Sequence, residues 1–201
     1  MRTIILVILA ILLSQCSTMD KSKGPVTDVG VWQGKILIKN TKTKKNKWAS
    51  LIWASDSKND RMKVNVSAIM DYPVAAFLRK DDQNDLWLFT ENKHYRSVSG
   101  ERLFQSLLKV SIDPKIFYSL LGNPQSPGNE WNCKKDSDTF NCHSVKLKTK
   151  FSVDISSSNR RVIKINKGQK ALQISLSRSK VQVTEKHFSG LNSSQFKTIE
   201  I

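Results

Sequence analysis

Cys133 and Cys142 are the residues whose spacing points most directly to chemistry. The stretch between them, Lys134-Lys135-Asp136-Ser137-Asp138-Thr139-Phe140-Asn141, has a polar centre of turn-forming residues. With Ser137-Asp138 as a two-residue hairpin turn, Asp136 faces Thr139. Counting outward, Cys133 faces Cys142 at a non-hydrogen-bonded pair, where side chains approach most closely. Two thiols so placed form a disulfide in an oxidising compartment. A metal site completed by His143 is the competing reading, and it lacks two further ligands at a suitable spacing. No metal and no other cofactor is expected. Nor does an enzyme constellation stand out: the nucleophile elbow, the phosphate-binding Gly-Lys-Ser/Thr loop and His-Glu-x-x-His are all missing. His94, His143 and His187 lie far apart and read as surface or strand residues. Carboxylates concentrate in turns such as Asp81-Asp82 and Asp136-Ser137-Asp138, where backbone capping accounts for them. The chain reads as a non-enzyme.

Cys16 follows a different pattern. Arg2 leads into the apolar run Ile4-Ile5-Leu6-Val7-Ile8-Leu9-Ala10-Ile11-Leu12-Leu13, which stops at Ser14-Gln15-Cys16. A cationic start and an apolar core of about 7–15 residues describe an export signal; spanning a hydrocarbon layer takes ~20. Export makes the Cys133–Cys142 disulfide the default, with roughly 2–3 kcal/mol of stabilisation from so small a loop. Leu13-Ser14-Gln15-Cys16 resembles the lipobox of bacterial lipoproteins, in which the cysteine is acylated and becomes the new N-terminus, with Gln15 standing where a small residue is usual. An ordinary secretory signal with an incidental cysteine is the alternative. The resemblance implies a lipoprotein signal over 1–15, an acylated Cys16 with a flexible tether over 16–28, and one domain over 29–201. Residues Ser17 to Thr27 are polar and aperiodic, as a tether should be. Several acyl chains on Cys16 would anchor the protein stably. Ser17 replaces the Asp often found in lipoproteins kept at the inner membrane, which implies the periplasmic face of the outer membrane.

The body that such an anchor would hold is mainly β. About 185 residues remain after the signal, enough for one domain with a sizeable core. Val31 to Lys39, Trp48 to Trp53, Met62 to Val66, Val74 to Arg79, Asp85 to Thr90 and Lys93 to Val98 read as successive strands of an antiparallel meander. Between the third and fourth, Ile69, Met70 and Tyr72 put large apolar groups in a link expected to be polar. They either tuck under the sheet or mark an interaction surface. From Glu101 the period becomes helical through Leu103, Phe104, Leu107 and Leu108. Asp113-Pro114 opens a second helix through Phe117, Leu120 and Leu121, which Gly122 can end in a left-handed conformation. Strands resume at Glu130 to Lys134, Phe140 to Lys148, Phe151 to Ile155, Val162 to Lys167, Ala171 to Leu176 and Val181 to Thr184. The tail from Gln195 is an edge strand or disordered. Together these elements predict an α+β fold, a curled antiparallel sheet or incomplete β-barrel lidded by helices, with room for a hydrophobe between sheet and helices.

The formal charge is +16, and of the charged residues only Arg2 would leave with the signal. In an exported protein this points to anionic partners such as phospholipid head groups, acidic lipopolysaccharide or acidic proteins, and away from nucleic acid. Lys42, Lys44, Lys45 and Lys47 read equally as a solvated turn and strand edge.

Trp32-Gln33-Gly34-Lys35-Ile36, the strand Trp48-Ala49-Ser50-Leu51-Ile52-Trp53, and Asp113-Pro114-Lys115-Ile116-Phe117-Tyr118-Ser119-Leu120-Leu121-Gly122-Asn123-Pro124 resemble the outer-membrane lipoprotein-localisation receptor family, LolB, and its soluble partner family, LolA. The resemblance covers roughly residues 31–127. It implies a half-barrel whose apolar cavity accepts lipoprotein acyl chains, delivered by a soluble LolA-like carrier, and an apolar side chain on an early loop that inserts the cargo into the membrane. On this reading Ile36, Ile38, Trp53, Val64, Val66, Leu86, Leu88, Leu103, Phe104, Leu107, Phe117 and Leu120 line the cavity, while Ile69, Met70 and Tyr72 touch the bilayer. The alternative is an envelope scaffold lipoprotein whose basic surface docks an acidic partner.

Overall fold

Residue-by-residue alternation of side chains across a pleated backbone becomes twelve strands. In the computed structural model, which describes residues 29–40, 42, 45–103, 114–127 and 129–201, they are β1 (Gly30–Asn40), β2 (Lys45–Asp56), β3 (Arg61–Ser67), β4 (Pro73–Lys80), β5 (Gln83–Leu88), β6 (Lys93–Ser97), β7 (Asn132–Lys135), β8 (Thr139–Ser144), β9 (Thr149–Asp154), β10 (Arg160–Lys167), β11 (Lys170–Arg178) and β12 (Lys197–Glu200). All join one sheet in the order β12-β6-β5-β4-β3-β2-β1-β11-β10-β9-β8-β7, which does not close into a barrel. The mainly β class expected from the sequence is the one observed. Pairing β1 with both β2 and β11 joins an N-terminal half that runs outward to β6 and a C-terminal half that returns from β7.

Several details differ from the sequence reading, among them that the strand expected over Phe140 to Lys148 ends at Ser144 and 145–148 turn into β9. Val181 to Thr184 forms no strand, because after Arg178 the chain leaves the sheet and crosses its outer face, where Val183 packs beside Phe188. The tail is an edge strand, but it lies parallel to β6, with the Lys197 amide donating to the Asn92 carbonyl at 3.0 Å. The second helix, α1 (Ile116–Leu121), is followed by Gly122 at φ −93°, not left-handed. No left-handed bend is needed there: the Gly122 amide still donates to the Tyr118 carbonyl, and its own carbonyl accepts from Arg161. A further helical turn begins at residues 100–103; Phe104, Leu107 and Asp113 lie outside the described residues.

Both faces of the N-terminal half are apolar, and both are covered toward the β2–β3 and β4–β5 turns, the inner one together with strands of the C-terminal half. On the inner face, Trp32, Leu51, Trp53, Met62, Phe77, Val153, Ile163 and Leu176 pack with Leu103, Tyr118, Leu120 and Leu121. On the outer face, Val31, Ala54, Ala76, Leu78 and Trp87 pack under Phe188, with Val183, Leu191 and Phe196 beside them. His94 belongs to this outer side. It is a strand residue, as expected, yet fully buried: it stacks on Trp87 at 4.7 Å, its Nε2 meets Asp85 at 2.7 Å, and its Nδ1 reaches Thr198 Oγ1 of β12 at 3.3 Å.

Cys133 and Cys142 occupy opposed positions of β7 and β8 and are bonded to each other. The Asp136 amide donates to the Thr139 carbonyl at 2.8 Å, so Ser137-Asp138 forms the turn. Replacing both cysteines with serine is expected to lower unfolding free energy by about 2–3 kcal/mol. In a thermal melt this reads as a drop of roughly 5–10 °C, matched by adding reductant to the unsubstituted protein.

A candidate apolar trough and its rims

The inner face is built from cross-strand rows. Trp32 stands opposite Trp53, Trp53 opposite Val64, and Val64 opposite Phe77; the neighbouring row runs Leu51, Val66, Ala75, Leu88. In the other half, Ile36 opposes Ile174, which opposes Ile163, and Ile38 opposes Leu172, which opposes Ile165. Burial along this surface is graded. Trp32, Met62, Val153, Ile163 and Leu176 are essentially inaccessible, whereas Ile36, Val64, Val66, Leu88, Ile165, Leu172 and Ile174 are half-buried and Ile38 is 45% exposed. The floor is therefore filled toward the β2–β3 and β4–β5 turns and open toward the opposite rim, which carries the β1–β2, β3–β4, β8–β9 and β10–β11 connections.

Helix α1 caps the filled end. Phe117 meets Trp53 edge-on at 5.7 Å, and Leu120 and Leu121 are buried in the same cluster. Arg161 fastens the helix to the sheet. Its buried guanidinium donates to the Gly122 carbonyl at 3.2 Å and the Arg160 carbonyl at 2.9 Å, also to the Ser157 carbonyl, and lies over the Trp32 ring at 5.9 Å. Cations near a helix C-terminus complement its dipole. Burial lowers the Arg161 pKa, an opposing cost that nearby Asp154 partly offsets.

A polar cluster closes the same end. Arg79 donates from Nε and Nη2 to Asp60 at 2.9 and 2.6 Å, and from Nη1 to Asn84 at 3.1 Å. These contacts, with the charges of Arg79 and Lys115 assisting, hold the Asp60 carboxyl down to about 2, while burial pushes the Tyr118 phenol up. Because Asp60 titrates lower when folded than its ordinary 3.8, its contribution is fully present above pH ~4 and is lost as the pH falls toward 2. Asp60→Asn should flatten the acid limb of stability between these values, by about 1 kcal/mol after solvent screening. Urea titrations at stepped pH would read it.

Of the residues expected to line a cavity, Trp53, Leu103 and Leu120 are buried, and Ile36, Val64, Val66, Leu86, Leu88 and Phe117 pack half-buried around them. Ile38 stands at the open end, while Phe104 and Leu107 lie outside the described residues. Ile165, Leu172 and Ile174 also belong to the trough wall, as their alternation signals, and Arg161 shares the face of Ile163 and Ile165, though nothing local marks it as a helix clamp.

The β3–β4 link projects from the open rim. Met70 is 94% and Tyr72 61% exposed, so neither tucks under the sheet. The Ala68 amide donates to the Tyr72 carbonyl at 2.8 Å, and Met70 and Asp71 both adopt left-handed backbone, at φ 60° and 56°. Non-glycine residues pay for that conformation, and this tight turn imposes it while holding the Met70 side chain outward. Among the described residues, no three or more His, Cys, Asp or Glu side chains gather as a metal site, and no helix is long and apolar enough to cross a membrane.

Fold and site together define an open single-sheet β protein with an apolar trough on one face and a short helix against it. No family model matches the chain, and no curated protein matches it in sequence. Solved structures do overlap with it. An uncharacterized conserved protein from Thermus thermophilus superposes with a TM-score of 0.45 at 8% identity, covering 86% of this chain and 91% of that one. A LolA superfamily protein from Nitrosomonas europaea superposes with a TM-score of 0.39 at 9% identity, covering 89% and 97%. A protein from M. tuberculosis gives 0.34 at 10%, covering 78% and 94%. Overlaps this loose do not assign the chain to a family.

Proposed function

We propose that this chain is a non-enzymatic, lipid-anchored protein that binds acyl chains in the inner-face trough and receives lipoproteins from a soluble LolA-like carrier at the periplasmic face of the outer membrane. The observation that carries the reading is a juxtaposition: the half-exposed end of the trough opens at the rim from which Met70 and Tyr72 project. A ligand leaving the trough there passes directly to whatever those side chains touch. Affinity for an acyl chain would scale as ~0.8 kcal/mol per methylene buried, and lysines of the same rim, among them Lys42, Lys148, Lys167 and Lys170, suit anionic head groups.

Anchoring at Cys16 is compatible with this orientation. β1 starts at Gly30, opposite Ser55, at the far rim, and its 11 residues span roughly 36 Å. A tether over 16–28 reaches at most roughly 45 Å when extended, enough to return the Met70 rim to the bilayer that holds the anchor. Purified without its signal, the domain should take up a fluorescent fatty acid and carry acyl species in a native mass spectrum; the absence of both would overturn the carrier reading. Met70→Ser combined with Tyr72→Ser should weaken binding to phosphatidylglycerol vesicles by at least tenfold, since two large apolar contacts are removed. Fatty-acid uptake should be unchanged, because neither side chain faces the trough. Unaltered vesicle binding would remove the rim from the mechanism.

A further inference from the structure

The outer face of the C-terminal half has a character of its own. The C-terminal segment that covers the outer face of the N-terminal half packs on β1, β2, β4 and β5, and β7 to β10 stay open. Two register rows cross this face. One runs Asn132, His143, Lys150, Asn166, Ala171, Lys39; the other runs Lys134, Asn141, Ser152, Lys164, Gln173, Leu37 and ends at Trp48. Neither row contains a carboxylate. Contiguous depressions of about 610, 360 and 240 Å³ follow the rows and all share Asn166.

Most cations of these rows have no internal ion pair among the described residues. Lys134 lies 3.3 Å from Asp136, whereas Lys39, Lys150 and Lys164 have no carboxylate partner among the described residues. The side chains of Asn132 and Asn166 make no hydrogen bond to the described residues. With strands ~4.8 Å apart, Lys134 on β7, Lys150 on β9, Lys164 on β10 and Lys39 on β1 spread over roughly 24 Å. The disulfide between β7 and β8 keeps the outermost strand, with Asn132 and Lys134, in line with the rest. Trp48, 60% exposed, offers a flat ring at the end of the groove.

We propose that this groove binds an acidic polysaccharide, with the anionic groups of the glycan on the lysines, its hydroxyls on the asparagine and glutamine amides, and a sugar ring against Trp48. Lysine supplies a point charge that tolerates varied anion geometry. Amides, which donate and accept at once, match hydroxyl groups. The spread of lysines over several strands fits an extended chain carrying charge at intervals and exceeds the reach of one small anion. A bilayer fits less well: between β7 and β11 the two rows project no apolar side chain larger than Ala171, whereas Met70 and Tyr72 stand exposed at the β3–β4 rim. The groove is separate from the trough, so it stands or falls independently of acyl-chain binding.

The test uses alginate oligomers, with dextran as the neutral control, phosphatidylglycerol vesicles and an oligo-dT strand as rival anions, read by calorimetry at two salt concentrations. Alginate should bind saturably and salt-sensitively, and dextran should not bind. Replacing Lys39, Lys150 and Lys164 together with glutamine should weaken alginate binding about tenfold, three exposed charge contacts being removed. Replacing Lys58, Lys180 and Lys186 with glutamine removes the same net charge elsewhere and should change it by less than about twofold. Trp48→Ala should weaken alginate binding further without altering vesicle binding. Equal losses from the two triple variants would show a merely basic protein and overturn the proposal. So would binding to vesicles or oligo-dT alone, or no affinity for alginate.

Discussion

Gly34→Val is expected to destabilise the protein by about 3 kcal/mol or more. The position lies mid-strand in β1, opposite Leu176 of β11 and Leu51 of β2. A Cβ there would sit 1.9 Å from the Ser175 carbonyl oxygen, 2.8 Å from its carbonyl carbon and 3.0 Å from the Leu176 Cα. All three are backbone atoms, so no rotamer change relieves the clash and β11 must move away. That movement opens the seam at which the two halves of the sheet join, breaking ladder hydrogen bonds that cost about 1 kcal/mol each to lose. A protein with ordinary marginal stability of about 5–15 kcal/mol loses a large fraction of it. Urea denaturation should show the midpoint falling with little change in slope, whereas Gly190→Ala, which meets nothing within 4 Å, should stay within about 0.5 kcal/mol of the unsubstituted protein. Equal effects at the two glycines would refute a tight β1–β11 seam.

The largest functional effect is expected from Ile38→Asp combined with Leu172→Asp. These residues oppose each other across β1 and β11 at the open end of the trough, where Ile38 is already 45% exposed and Leu172 half-buried. Folding should therefore tolerate the change, while an acyl chain entering the trough would have to displace water from two carboxylates. Desolvating even one unpaired carboxylate costs several kcal/mol, so fluorescent fatty-acid uptake should fall more than a hundredfold. Ile38→Val, which removes one methylene from the same wall, should cost less than tenfold. If the double variant takes up the probe normally, the trough does not hold the ligand.

How far these sites could be read in advance depended on the range of the interactions involved. Ile36 and Ile38, or Val64 and Val66, announce one face of a strand through spacing of two, and each pair does share the inner face. Cys133 and Cys142 were legible for the same reason, since a two-residue turn sets register nine residues apart. Val181 to Thr184 shows the limit: alternation suggested a strand, but after Arg178 the chain spends that segment covering Trp87, Leu78 and Ala76 with Val183 and Phe188. Arg161 is the other limit. Alternation puts Arg161 on the face of Ile163 and Ile165 and Arg160 on the other, but only the arrival of Gly122 from 39 positions away makes the Arg161 guanidinium a buried helix clamp.

Sequence alone determined the mainly β class, most strand positions, the opposed cysteines and the apolar β3–β4 link, because each is settled by alternation or turn chemistry within a few residues. Tertiary structure decided which rows are filled and which half-open, that the trough and Met70 share a rim, and that one half of the outer face is roofed while the other presents a lysine-bearing groove. Those facts come from the pairing of β1 with β11 and from where the C-terminal segment lies. Such contacts join residues far apart in the chain, and no local periodicity encodes them.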